Sequence, residues 1–200
     1  MTVYLASQSP RRKELLASLG VTFEVLPIEV DEQIQTLEGA EDYVARVARD
    51  KARAGLDTLA QRGESGALVI GSDTAVVVDR DILGKPTGYD DYADMMEKLS
   101  GRAHSVMTSV ALATHEHIDV RIVTSRVVFA DLMPDQIRVY WETGEPADKA
   151  GGYAVQGLAS VFIKRIEGSY SAIVGLPLRE MAQMLTAQGV PVWSGALASV

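Results

Sequence analysis

The chain contains no cysteine. Disulfides, thiolate metal sites and thiol redox chemistry are therefore excluded, and the absence fits a reducing compartment. Positive charge is also scarce: 19 lysines and arginines stand against 27 aspartates and glutamates, a formal net charge of -8 in 200 residues. Nucleic acids and anionic membranes attract proteins through summed positive potential, so no broad surface for either is expected, and a polyanionic ligand must be met by a local concentration of cations. No long apolar run is present either. The first residues, Met1 to Ala6, reach Gln8 and Arg11 before attaining the length of a signal peptide or a membrane span, and a cytoplasmic location is expected. Internal repeats, low-complexity tracts and linkers are missing, and the loosest stretch, Arg62 to Gly66, has the length of an ordinary connection. Residues 1–200 are thus expected to form a single domain whose sheet is divided into two lobes around one cleft. Two phosphate-binding signatures are absent as well, the P-loop pattern and the G-x-G-x-x-G dinucleotide fingerprint.

What is there reads as an ordinary globular protein, with 47% apolar and 23% charged residues. Val3 to Ala6 suits a buried strand, and Ser9-Pro10 supplies an N-cap and first-turn proline for a helix through Leu19, closed by Gly20. Val44, Val47, Ala48 and Ala52 recur at helical spacing within a helix expected from Ala40 to Leu59. Ala67 to Ile70 reads as a strand ending at Gly71-Ser72-Asp73, and Ala75 to Val78 with Ile82-Leu83 as a hairpin turning near Asp79-Arg80. A helix over Tyr89 to Leu99, strands Ser105 to Ala113 and Val120 to Phe129, a helix from Pro134 to Trp141, a strand Ala159 to Ile166 and a last helix from Pro177 to Gln188 complete the pattern. Helices alternate with strands, but hairpins interrupt the alternation, so the expected class is α/β with a mixed sheet.

Several short segments carry chemistry. Ser7-Gln8-Ser9-Pro10-Arg11-Arg12 places hydroxyls and guanidinium groups at a helix N-terminus, where unpaired N–H groups and the helix dipole favour phosphate. Lys51 lies on the edge of the apolar stripe of its helix and needs either a partner or an outlet to water. In Gly71-Ser72-Asp73-Thr74 a carboxylate sits at a strand end, where it can accept a proton from an attacking water or hold a divalent metal. Glu32 is available to join Asp73 around Mg2+, and Lys85, in Gly84-Lys85-Pro86, adds a cation in a turn. Gln156, in the glycine-interrupted stretch Gly151 to Gly157, both donates and accepts hydrogen bonds and so matches the edge of uracil or thymine. His115 and His117 flank an expected turn without a third ligand and are given no role.

Six segments in this order, Ser7 to Arg12, Asp50-Lys51-Ala52, Gly71 to Thr74, Gly84-Lys85-Pro86, Asp148 to Gly151 and Gly175-Leu176-Pro177, resemble the Maf family over nearly the whole chain. The resemblance implies an elongated mixed β-sheet with flanking helices around a deep cleft, as in inosine triphosphatases. It also implies cleavage of a nucleoside triphosphate between its α and β phosphates with Mg2+ or Mn2+. By that likeness Asp73 is the proton acceptor, Arg11, Thr74 and Gln156 select the substrate, and Ser7, Arg12, Glu32, Lys51 and Lys85 surround phosphate and metal. The combination of Ser-Pro-Arg-Arg, Ser-Asp-Thr and Val-Gln-Gly resembles the branch acting on dTTP and UTP and departs from the 7-methyl-GTP branch at all three places. A homodimer is implied only by the resemblance. The contrasting expectations are the same chemistry on 7-methyl-GTP or modified nucleotides, and a nucleotide-binding regulator of septum formation acting through a protein partner. The C-terminal tail from Trp193 carries no recognised motif.

Overall fold

The computed structural model describes residues 1–195; the rest of the C-terminal tail lies outside the described residues. Among the described residues seven strands form one sheet: β1 (Thr2–Leu5), β2 (Phe23–Val25), β3 (Ala67–Val78), β4 (Asp81–Leu83), β5 (Ala103–Ala113), β6 (Ile118–Phe129) and β7 (Ile163–Glu167). Their order is β2-β1-β3-β5-β6-β7, with β4 paired to β3. β1 runs parallel to β2 and β3, whereas the β3/β4 and β6/β7 pairs are antiparallel, so the sheet is mixed as the hairpins required. The helices are α1 (Pro10–Ser18), α2 (Ala40–Gln61), α3 (Tyr89–Leu99), α4 (Pro134–Glu142), α5 (Tyr170–Val174) and α6 (Leu178–Ala187).

The residues form two compact units. The first comprises Met1–Asp73, Thr108–Val123 and the described residues from Gly175 onward, and the second Thr74–Met107 and Thr124–Val174. In the first, the pleat sends alternate residues of β1 to opposite faces. Val3 and Leu5 join Leu68, Ile70, Leu16 of α1 and Met181 and Leu185 of α6, while Tyr4 and Ala6 join Val69 and the α2 residues Ala48, Ala52 and Leu59. Both faces are covered, and this is why β1 and the start of β3 are apolar without interruption. The small residues Ala48, Ala52 and Gly55 let α2 lie close on the sheet. A Cβ added at Gly55 would stand 2.6 Å from a methyl of Val69. In the second unit Val76, Tyr92, Met96, Phe129, Tyr140, Tyr153 and Phe162 share one core, with Trp141 tilted against Tyr92 at 5.0 Å between ring centroids. Each such side chain contributes on the order of 1.5–3 kcal/mol by its burial.

Two expectations are corrected. β3 does not end at Gly71-Ser72-Asp73 but continues unbroken through Val78. Gly71 is there for close approach, because a Cβ at that position would press into the carbonyl of Ala48 and stand 2.8 Å from the amide nitrogen of Ala52. The second correction concerns the strand expected over 159–166, which begins only at Ile163; Leu158–Phe162 is a 3-10 turn. The β3/β4 hairpin turns where expected, with Asp79 and Arg80 at φ 52° and 78°, the left-handed pair that a two-residue hairpin demands. β5 and β6 are neighbours joined through Thr114–His117, a connection short enough only for an antiparallel pair, and His115 and His117 are exposed in it.

Candidate active site

The first unit gathers a polar cluster around Lys51. The helical stripe of α2 points this lysine inward, where it is 6% exposed, and it does not snorkel to water. Its ammonium lies 3.0 Å from Asp73 Oδ1 and 2.7 Å from Glu32 Oε1. Asp73 is 6% exposed inside a continuous strand, so its carboxylate is held by sheet pairing on the backbone and by one charge-assisted bond on the side chain. The partner that Lys51 needs is thus a pair of carboxylates supplied by the protein.

The N-terminus of α1 has the expected chemistry. Ser9 caps it, its hydroxyl accepting from the Arg12 N–H at 3.5 Å, and the Ser7 hydroxyl accepts from the Ser9 N–H at 3.2 Å. The Arg12 guanidinium donates through Nε to the carbonyl of Gly175 at 2.9 Å and through Nη1 to Ser7 at 3.5 Å. Burial pulls its pKa down, and the charges of Asp73 and Glu32 act in the opposite direction, so these groups share one electrostatic environment. Arg11, next on the same turn, adds to the positive field felt by Arg12.

Some contributors were not visible in the sequence. Tyr43 donates its hydroxyl to the carbonyl of Glu32 at 3.1 Å, and Arg46 donates to the carbonyls of Asp31 at 3.2 Å and Gln33 at 2.9 Å. Arg46 is anchored in turn on Glu38 at 2.6 Å. One turn of α2 thereby shapes the loop that carries Glu32. Tyr43 has its pKa raised by burial first and then by Asp73 and Glu32, which places its ring at the edge of the same cluster. Ser72, fully buried, donates to the carbonyls of Ser109 at 2.9 Å and Gly175 at 3.0 Å. Gly175, in the Gly175-Leu176-Pro177 segment, therefore ties Arg12 to the residue preceding Asp73. The pairing of Tyr43 and Arg46 with a loop some ten residues away has no periodic signal, so only the folded chain reveals it.

Thr74, Lys85 and Gln156 belong to the second unit. Thr74 follows Asp73 in β3 and is partly buried, Lys85 is exposed just after β4, and Gln156 is exposed in a turn. Two of these segments are joined by backbone: the carbonyl of Gly84 accepts from the Gly151 N–H at 2.9 Å, which ties the turn of Lys85 to the loop of Gln156.

As for metal, no group of three or more histidine, aspartate or glutamate side chains is arranged to hold an ion among the described residues. Glu32 and Asp73 nonetheless converge on one cation, Lys51. Two carboxylates fit the hard-oxygen donor set of Mg2+ or Mn2+, which characteristically binds through one or two carboxylates with substrate phosphates and water completing the shell.

The chain is 48% identical over 190 residues to a dTTP/UTP pyrophosphatase of Hahella chejuensis, covering 95% of this chain and 94% of the relative. It is 48% identical to a dTTP/UTP pyrophosphatase of Colwellia psychrerythraea, over 92% of this chain and 87% of the other. The same identity holds with a dTTP/UTP pyrophosphatase of Saccharophagus degradans, over 96% and 90%. Among solved structures the Staphylococcus aureus Ham1 protein is similar at a TM-score of 0.43 and 13% identity, over 66% of this chain and 73% of that one, a likeness too slight to carry functional meaning. The family model for Maf-like proteins matches residues 2–188, and with relatives this similar along nearly the whole length the chain belongs to the Maf family.

Proposed function

We propose that this protein hydrolyses dTTP and UTP to the nucleoside monophosphate and pyrophosphate, clearing unwanted pyrimidine nucleotides from the pool. The observation that carries the reading is the Glu32–Lys51–Asp73 cluster, a buried carboxylate on a rigid strand paired to a buried ammonium. Without a metal ion, a site that only bound a triphosphate would gain nothing by placing carboxylates among its cations.

In the proposed reaction a water attacks the α phosphorus and Asp73 accepts its proton, while pyrophosphate departs. Lys51 holds the Asp73 carboxylate in place and carries compensating charge as the proton moves. Ser7, Arg11 and Arg12 at the start of α1 receive phosphate oxygens, with guanidinium forks and helix N–H groups supplying preorganised positive potential. Arg11, Arg12 and Lys51 exceed Glu32 and Asp73 by one charge, less than a triphosphate calls for, so the electrostatics favour a divalent cation held by Glu32 and Asp73. Bound there, Mg2+ or Mn2+ would polarise the phosphate and acidify water. For Thr74, Lys85 and Gln156 the proposal rests on motif resemblance: Lys85 for phosphate, Thr74 and Gln156 for the nucleoside. A homodimer is proposed on the same resemblance and is checked by light-scattering mass; a cytoplasmic location is proposed on the lack of cysteine and of a long apolar run.

The test is pyrophosphate release from dTTP, UTP, CTP, GTP and 7-methyl-GTP with Mg2+ or Mn2+, comparing the native chain with Asp73→Asn and Gln156→Glu. Selective release from dTTP and UTP is expected. Asp73→Asn, which keeps an oxygen facing Lys51, is expected to fold normally and to lower kcat by roughly 10²–10⁴-fold. Tight nucleotide binding with no release from any substrate would instead point to a regulator acting through a partner.

A further inference from the structure

Gln156 is an exposed side chain at the end of a run of buried residues, Gly151 to Val155. It occupies the second central position of a β-turn closed by the Gly157 N–H on the carbonyl of Ala154 at 3.0 Å. Both ends of this turn are held by side chains outside it. On the entering side the Ala154 N–H donates to the hydroxyl of Tyr140 at 3.2 Å. On the leaving side the Leu158 N–H donates to both carboxylate oxygens of Glu145, at 3.0 and 3.1 Å. The two holders are joined to each other, since the Tyr140 hydroxyl donates to Glu145 Oε1 at 2.6 Å.

The clamp leaves little room around it. Tyr140 is 4% exposed, and its phenol is pushed up in pKa by burial first and then by the bond to Glu145, so it remains a donor to that carboxylate. A Cβ at Gly157 would press directly into the Glu145 carboxylate, which means that the backbone beside Gln156 rests on it. Behind the turn, Gly151 lies against Val76 and Gly152 against Tyr92, with no space for a side chain at either. The exposed amide therefore projects from a turn whose backbone is fixed on every bonded side.

We propose that Tyr140 and Glu145 are positioning residues for substrate choice: a phenol–carboxylate clamp that fixes the backbone on both sides of Gln156 so that its amide meets the pyrimidine edge at one place. The inference rests on the reading of Gln156 as the base-contacting residue. A glutamine amide can pair with uracil in one orientation and with cytosine in the reverse one, so chemical type alone does not discriminate them. Discrimination requires the amide to be presented from a fixed origin, because a mispaired polar edge is costly only where the site cannot shift to accommodate it.

The experiment is a double-mutant cycle read as the ratio of kcat/KM for UTP to that for CTP. The variants are Tyr140→Phe, Glu145→Gln, Gln156→Ala and the pairs Tyr140→Phe/Gln156→Ala and Glu145→Gln/Gln156→Ala, with a thermal melt of each. Tyr140→Phe and Glu145→Gln are expected to lower the UTP preference by roughly five- to tenfold, mainly by raising KM for UTP at nearly unchanged kcat. Neither is expected to lower it further once Gln156 is gone. Glu145→Asp, which keeps the charge but shortens the reach, should restore less than half of the preference. A loss of stability alone lowers rates for all substrates and leaves the ratio where it was. If Gln156→Ala lowers the preference but the clamp variants leave it intact, or lower it equally with and without Gln156, the clamp is overturned while the base reading stands. If Gln156→Ala itself leaves the preference unchanged, the base reading is overturned and the clamp's role in selection falls with it.

Discussion

Asp73 and Glu32 approach the Lys51 ammonium at 3.0 and 2.7 Å, and the Asp73 and Lys51 side chains are each 8% exposed. A buried ion pair adds little over an apolar pair, but removing one partner strands the other charge. Lys51→Met is therefore expected to destabilise the protein by about 3 kcal/mol at neutral pH, and Asp73→Asn added to it should recover much of that loss. Equilibrium urea unfolding of the single and double variants measures both. His104 offers a separate test in the second unit. It is 3% exposed, bonded through Nε2 to the Tyr153 hydroxyl at 2.7 Å, and burial pulls its pKa down from 6.5 to about 4. Above pH 6.5 the ring is neutral in both folded and unfolded chains, and stability is fully present. As pH falls from 6.5 to 4 the unfolded chain takes up a proton that the folded chain refuses, so stability should drop by about 3 kcal/mol and then level off. His104→Gln retains a partner for Tyr153 and should flatten this slope, measured by urea unfolding between pH 7.5 and 4. At this scale the sequence announced that Lys51 needed either a partner or an outlet to water, because its position on an apolar stripe follows from helix periodicity. It did not announce which partner, since Glu32, Lys51 and Asp73 are brought together by loop, helix and strand from distant parts of the chain.

At the level of elements, β1, α1, α2, α3 and α4 were legible because each has a period and a punctuating residue, such as Ser9-Pro10 before α1 or Pro134 before α4. β3 was misread as two strands because glycine is ambiguous: it permits a turn, and it also permits close packing. Here the helix decides, since Gly71 lies directly under Ala48 and Ala52 of α2. Gly71→Ala is expected to push α2 from the sheet and cost roughly 1–3 kcal/mol or more, whereas Gly84→Ala, with open space around it, should leave the melting temperature nearly unchanged. Thermal melts of the two variants decide between the roles. The same contact matters for the site, because Gly71 sets the distance between the helix bearing Lys51 and the strand bearing Asp73.

Over the whole molecule the excess of acidic side chains sets behaviour toward other polyanions. With a net charge of -8 and an isoelectric point near 4.9, the protein should show no binding to double-stranded DNA at about 0.15 M salt, measured by fluorescence anisotropy, and should be least soluble near pH 5. In the proposed site a triphosphate would be met locally, by Arg11, Arg12 and Lys51 together with a divalent cation, without reversing the sign of the surface. The mixed sheet was also legible at this scale, because hairpins between βα segments leave no purely parallel solution.

Composition, periodicity and short motifs were enough to establish the class of fold, the acidic character, most element boundaries and the family, since each depends on neighbours in sequence or on order along the chain. Tertiary contact was needed for the Glu32–Lys51–Asp73 cluster, for the Gly175 carbonyl that joins Arg12 to Ser72, for the helix over Gly71 and for the Tyr140–Glu145 clamp. These are contacts between residues with no periodic relation. Electrostatic and hydrogen-bonding energies fall steeply with distance, and only folding makes that distance short.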